Sequence, residues 1–240
     1  LILKEKNNLP GRILFGDNHL LAVNKNPSEI VQGDKTGDAP LNELVKQYLK
    51  EKYQKPGNVF LGVIHRLDRP VSGVVIFART GKALRRMNEL IKNRQIKKTY
   101  WAIVKYMPPS ESGELKHYLV RNEKKNKSFV HQKFVENSKE AILTYKLAGA
   151  GTDYYLLEID LKTGRHHQIR AQLAAIGCPV KGDLKYGFPR SNKDGSISLH
   201  ARSVEFVHPV KKELLKIVAP PPDDKLWNYF ENALSSPIKK

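Results

Sequence analysis

The sequence predicts a mixed α+β fold built on a largely antiparallel β-sheet. Strand-like runs follow one another over long stretches without a regular helical crossover between them, which argues against a parallel α/β sheet. Gly- and Asn-containing turns separate several of these runs at hairpin spacing. The chain is 240 residues long and 40% hydrophobic, enough for one compact core.

Taken in order, Arg12–Phe15 and Leu20–Asn24 read as strands joined by the turn Gly16-Asp17-Asn18. Gly33 to Gly37 is a polar loop, and Pro40 opens a helix over Leu41–Tyr53, where Leu41, Leu44, Val45, Tyr48 and Leu49 repeat at helical spacing. Pro56-Gly57 ends that stretch. Val74–Ala78 is a continuous apolar run of strand length, followed by a helix over Lys82–Asn93 with Thr80 as its N-cap. Strands are then expected at Lys98–Lys105 and Glu114–Arg121, and an antiparallel pair at Ala141–Leu147 and Tyr154–Leu161 joined by Gly149-Ala150-Gly151. A short helix over His166–Ile176 stops at Gly177. Ser198–Val207 and Glu213–Val218 read as two more strands. A terminal helix follows Pro220-Pro221-Pro222, capped by Asp223 or Asp224 and burying Leu226, Trp227 and Phe230.

Charge narrows the partner. Lys and Arg total 42 against 24 Asp and Glu, a formal charge of +18, and a polyanion is the natural counterpart because cations that neutralise phosphates release counterions. Arg79 to Lys105 holds nine basic residues against Glu89 alone, and Lys116 to Lys139 holds seven against Glu123 and Glu136. A solvated, soluble surface is the plainer explanation of the same clusters. An anionic membrane surface is the weaker reading, because Leu84, Met87 and Ile91 on the basic helix more simply face a core. No apolar run reaches membrane-spanning length, and the amino end shows no secretory signal. A single cysteine, Cys178, excludes an internal disulfide framework and a multi-cysteine zinc site. The chain therefore reads as soluble and intracellular, in the cytoplasm.

Two segments concentrate reactive side chains. The first runs Gly62-Val63-Ile64-His65-Arg66-Leu67-Asp68-Arg69-Pro70-Val71-Ser72-Gly73, with Asp68 in a tight polar turn between apolar runs. On composition alone such an aspartate is more often a turn residue or ion-pair partner than a catalyst. The second, Thr163-Gly164-Arg165-His166-His167-Gln168-Ile169-Arg170, sits at a strand-to-helix junction. On the expected helix Ile169, Leu173 and Ile176 point inward and His166 shares another face with Arg170. The histidines taken alone are surface or capping residues. Adjacent histidines diverge on a helix and further ligands are lacking, so zinc is not expected.

Together these residues resemble the RluA-type family of RNA pseudouridine synthases. The likeness rests on His65-Arg66-Leu67-Asp68 with Ser72-Gly73, then Lys98-Thr99-Tyr100, then Thr163-Gly164-Arg165 with His167-Gln168-Ile169-Arg170. Gly182-Asp183 with Tyr186, and Leu199-His200-Ala201, extend it in family order from about Leu20 to Pro220. Each motif is weak alone, and the ordered set is specific.

The resemblance implies the pseudouridine synthase catalytic fold over 1–240 as a single domain without an S4-like module at the amino end. It also implies a reaction that detaches uracil from C1′, turns it and rejoins it through C5. Asp68 is then the catalytic aspartate, as nucleophile or as a base toward the ribose. It must stay ionised where water is excluded, so a guanidinium beside it is expected, from Arg170 or else Arg165. Tyr100 stacks on the uracil and assists proton transfer at C5. Arg66, with His65 beside it, probes the space left by the flipped nucleotide, Leu199 lines the uracil pocket, and Lys97 and Lys98 contact RNA. No metal or organic cofactor is implied, since no net oxidation or group transfer occurs. The partner is structured RNA, ribosomal or transfer, with no membrane and a monomer as the default.

The sequence departs from the family pattern at Asn24-Lys25-Asn26-Pro27-Ser28-Glu29, which lacks the glycine of a Lys-Pro-x-Gly element, and at His166, where a hydroxyl residue is usual. Two other classes compete: a basic RNA binder that has lost catalysis, and a glycosidase or nuclease using Asp68. The Asp, Tyr and Arg set disfavours the first. The want of a second carboxylate motif or metal cluster disfavours the other.

Overall fold

The computed structural model describes residues 9–33 and 37–235. The amino end and the middle of the Gly33–Gly37 loop lie outside the described residues. The strands are β1 (Ile13–Gly16), β2 (Leu20–Lys25), β3 (Gly62–Val63), β4 (Ser72–Ala78), β5 (Lys97–Val104), β6 (Ser112–Asn122), β7 (Lys127–His131), β8 (Lys139–Ala150), β9 (Tyr155–Leu161), β10 (Leu199–Val207) and β11 (Leu214–Val218). The helices are α1 (Leu41–Lys52), α2 (Gly81–Lys92), α3 (Gln168–Ala175) and α4 (Lys225–Ser235). The class is α+β with largely antiparallel pairing, as expected. The chain divides into two compact units: residues up to Ile96 with Ser203–Pro220, and Lys97–Arg202 with the residues from Pro221 onward.

In the first unit the Asp17 carboxylate forms the β1–β2 turn by accepting the His19 and Leu20 N–H groups, both at 2.8 Å. β2 pairs antiparallel with β4 from Leu20↔Ala78 to Lys25↔Gly73. Strand alternation puts Leu20, Ala22, Ile76 and Ala78 on one face, where they form a core with Ala83 and Met87 of α2 and with Val204, Phe206 and Ile217. Burial of each large side chain here contributes about 1.5–3 kcal/mol. The Thr80 Oγ1 accepts the Ala83 N–H at 3.1 Å, which makes it the α2 N-cap. Leu84, Met87 and Ile91 face the core as expected, and Lys82, Arg85 and Lys92 are left exposed. Gly62 is required by that packing, since a Cβ there would lie 2.7 Å from the Leu84 side chain.

In the second unit the strands run β5-β9-β8-β6-β7, each antiparallel to its neighbour. One sheet face meets α3 through Leu119, Ala141, Ala171 and Tyr186. The other meets α4 through Trp101, Ile103 and Leu156 against Trp227 and Phe230. Asp224 caps α4, its carboxylate accepting the Leu226 N–H at 2.9 Å, and Leu226 is only partly buried.

Three expectations need correction. α3 begins at Gln168 rather than His166, because His167 adopts a left-handed φ of 54°. The Gln168 carboxamide closes the preceding turn instead, its Oε1 accepting the Thr163 hydroxyl at 2.8 Å and the Arg165 N–H at 2.9 Å. Off the helix, the two histidines do not diverge: their rings stack at 3.8 Å. β8 runs on through Gly149 to Ala150 with a bulge after Leu147, and the turn to β9 is closed by the Gly151 N–H on the Tyr154 carbonyl. β3 and β7 were not anticipated.

Candidate active site

Asp68 sits in the first unit, half-buried, in the loop between β3 and β4. Ile64 and Leu67 anchor that loop in the interior at 8% exposure each, and Val71 at 2%. The Asp68 carbonyl accepts the Val71 N–H at 3.0 Å, which makes a tight turn. His65 Nε2 accepts the Ile76 N–H at 3.2 Å, so the imidazole ties the loop to β4. Arg66 projects to solvent. Gly73, the last residue of the motif, has a φ of 115°, open only to glycine at little cost.

A second hold on this loop comes from the end of β2. Lys25 ends β2 on the same face as Leu21 and Val23 and is fully buried. Its ammonium donates to the carbonyls of Asn26 at 2.9 Å, Arg69 at 3.0 Å and Val71 at 2.5 Å. The Ser28 N–H adds a second bond to the Arg69 carbonyl at 2.9 Å. Ser28 takes a left-handed φ of 70° in that turn. The backbone on the carboxyl side of Asp68 is thus fixed by groups that do not involve its carboxylate.

Burial lowers the Lys25 pKa to about 7, opposed by the Glu29 and Asp68 carboxylates. With the folded value below the unfolded one, unfolding takes up a proton between about pH 7 and 10.5. The group therefore makes the fold more stable as pH rises through that window, and its cost is constant below it. Lys25→Met is expected to flatten the rise of the thermal midpoint between those limits, followed by circular dichroism. A profile matching that of the native chain would show that the amine titrates as an ordinary lysine.

The second unit holds Tyr100, Arg165, Arg170, Leu199, Lys97 and Lys98. Arg170 is 5% exposed and forms a two-point ion pair with Asp183, Nε to Oδ2 at 2.7 Å and Nη2 to Oδ1 at 2.9 Å. Asp183 is 1% exposed and follows Gly182, whose φ of 87° and close approach to Asn192 and the Ser196 carbonyl leave no room for a Cβ. The Tyr186 ring lies 5.1 Å from the Arg170 guanidinium and completes its seat. Asp183 belongs to the Gly182-Asp183 motif, and its part is to orient the Arg170 guanidinium. The signal available was a Gly-Asp pair at fixed order after Arg170.

Tyr186 ties this seat to the β6–β7 hairpin. Its hydroxyl accepts the Ser128 N–H at 2.8 Å and bonds His167 Nδ1 at 3.0 Å. Burial, with the Arg170 cation next, pushes His167 down to about 2, so its imidazole is neutral. His166 spans to the hairpin, with Ser128 Oγ at 3.0 Å and Asn126 Oδ1 at 3.1 Å. Arg165 Nε donates to the Glu140 carbonyl at 2.8 Å, which commits one edge of that guanidinium to β8.

Tyr100 lies on β5 opposite Ile159, 9% exposed, and Leu199 opens β10 at 3%. Lys97 is exposed at the start of β5, whereas burial lowers the pKa of Lys98. The predicted residues thus gather as two groups: His65, Arg66 and Asp68 on one loop of the first unit, and the remainder in the second.

Comparison with known proteins agrees with this picture. Residues 19–175 match the family model for RNA pseudouridylate synthase. The chain is 33% identical over 246 residues to the ribosomal large subunit pseudouridine synthase C of Buchnera aphidicola subsp. Acyrthosiphon pisum, covering 98% of this chain and 74% of that protein. It is 31% identical over 229 residues to the ribosomal large subunit pseudouridine synthase D of Xylella fastidiosa, covering 90% and 67%. In fold it resembles human RNA pseudouridylate synthase domain containing 4, with a TM-score of 0.77 at 24% identity over 97% of this chain and 95% of that one. A family match spanning the Asp68, Tyr100 and Arg170 motifs, with relatives of this identity along nearly the whole length, establishes that the chain belongs to the RluA-type family of RNA pseudouridine synthases.

Proposed function

We propose that this enzyme converts uridines of large-subunit ribosomal RNA to pseudouridine in the cytoplasm, with Asp68 as the group that acts on the ribose. The observation that carries the reading is the place of Asp68: a half-exposed carboxylate on a loop fixed from both sides by His65 and Lys25, inside the family-matched segment. A catalytic carboxylate needs such a mount, because a reacting group held to a narrow range of positions avoids the entropy loss of finding one. Tyr100 stacks on the uracil, Leu199 lines its pocket, and Arg66 fills the gap left by the flipped base. Arg170, oriented by Asp183, is the cation assigned to keep Asp68 ionised. Ribosomal RNA is the substrate class because the Buchnera and Xylella relatives, which match along 98% and 90% of the chain, are ribosomal large subunit synthases.

The test is to map pseudouridines in total RNA from cells with and without this chain, and then to restore the missing site in vitro. A lost position in large-subunit rRNA supports the proposal. Loss confined to transfer RNA, or no loss, overturns it. Neutralising Lys97, Lys98, Lys124 and Lys125 is expected to weaken binding to all RNAs and to reduce the slope of affinity against salt by up to about one per phosphate contact removed. An unchanged slope in a filter-binding titration would place the RNA elsewhere.

A further inference from the structure

The β6–β7 hairpin carries an aromatic surface that the proposed chemistry does not use. Leu119 and Val130 turn toward α3, so the alternate pairs Tyr118↔His131, Val120↔Phe129 and Asn122↔Lys127 share the opposite sheet face. On that face Phe129 is 39% exposed. Phe134, in the loop after β7, is 69% exposed and sets its ring edge-on to Tyr118, centroids 5.9 Å apart. The loop that presents it is closed on itself. Ser138 N–H donates to the Val135 carbonyl at 3.0 Å, and Ser138 Oγ accepts the Val135 N–H at 3.2 Å, with Asn137 at a φ of 62°.

Lysines flank these rings in the hairpin and the loop. Lys127 Nζ lies between the Tyr186 and Phe129 rings, 4.9 and 5.9 Å from their centroids, and Lys124, Lys125 and Lys133 are exposed on the hairpin tip and the loop. Exposed rings set among lysines suit a single-stranded nucleic acid, in which bases stack on π faces while phosphates meet the ammonium groups. They suit a protein partner poorly, because lysine is depleted from the desolvated centre of protein interfaces.

We propose that this outward face of the β6–β7 hairpin is a second RNA-contact surface, on which unpaired nucleotides of the substrate stack against Phe129 and Phe134. The inference rests on the RNA substrate of the proposed function and adds a subsite to it. It predicts a preference for substrates whose modified region continues into single strand.

The experiment is fluorescence anisotropy of the full chain with a labelled oligouridylate and, in parallel, a blunt RNA duplex, each across a range of salt. The double variant Phe129→Ala/Phe134→Ala is expected to lose at least about tenfold in affinity for the single strand, given the usual worth of base–aromatic stacking. Its duplex affinity and its salt slope should stay those of the native chain. Phe134→Tyr should keep binding, whereas Phe134→Leu, which preserves apolar bulk without a π face, should lose it. Both rings are exposed, so an unchanged circular dichroism melt is expected. Single-strand affinity equal to the native value in the double variant overturns the proposal. So does an equal loss on duplex and single strand, or an effect seen only on association with another protein. Binding requires no isomerisation, so the outcome of these titrations does not depend on the role assigned to Asp68, and failure of the subsite is told apart from failure of the proposed chemistry.

Discussion

Replacing Asp68 by Asn is expected to abolish pseudouridine formation while leaving RNA affinity within a few-fold. Asparagine has nearly the same shape and can neither attack C1′ nor take a proton from the ribose, so the chemical step loses its reagent. The mount should persist. The bonds that fix the loop run from His65 to the Ile76 N–H and from Lys25 to the Arg69 and Val71 carbonyls, and none uses the Asp68 carboxylate. One secondary change follows. The Asp68 charge raises the Lys25 pKa, so removing it should let that amine lose its proton at a lower pH. Pseudouridine mapping on the restored RNA site, beside filter binding of the same RNA, separates the two effects. A fall in affinity as deep as the fall in turnover would make Asp68 a binding residue instead.

Much of the scaffold around that loop can be read from local sequence, because its determinants are local. Asp17 closes its turn with N–H groups two and three residues on, and Thr80 caps α2 three residues on. What escapes such reading depends on partners far along the chain. Lys25 at the end of Leu20–Lys25 looks like a strand terminus reaching for water. It is instead buried, because carbonyls 44 and 46 residues later surround its ammonium. β7 escapes because Lys127–His131 is short and has no clean apolar alternation, and its stability comes from pairing with β6. The start of α3 is misread for a related reason. The Thr163 hydroxyl and the Gln168 carboxamide bond within the turn, and a helical spacing of apolar residues carries no trace of that competition. Of the site, the motif residues are legible as a set, while Asp183, the group that orients Arg170, becomes visible only when its carboxylate is seen on the guanidinium.

Asp183→Asn is expected to be the most destabilising single substitution in the second unit. The Arg170–Asp183 pair is almost wholly buried, at 6% and 1% side-chain exposure. Neutralising the acid takes away the carboxylate that both Nε and Nη2 bond beside the Tyr186 ring, and breaking such a buried pair typically costs about 3–5 kcal/mol. The chain offers a local reporter, since Trp101 and Trp227 both lie in the second unit. Urea unfolding followed by tryptophan fluorescence should therefore show the loss directly as a lower midpoint. Arg170→Met in the same chain removes the buried cation as well, so the double variant should be more stable than Asp183→Asn alone, with a coupling energy well above the few tenths of a kcal/mol expected of independent sites. Additive losses would mean that the pair is held apart by solvent or screened. The catalytic readout distinguishes aim from mere folding. At a temperature where Asp183→Asn remains folded, its turnover should fall while RNA affinity holds, because the carboxylate that sets the direction of Arg170 is gone and the cation assigned to keep Asp68 ionised is no longer fixed in place.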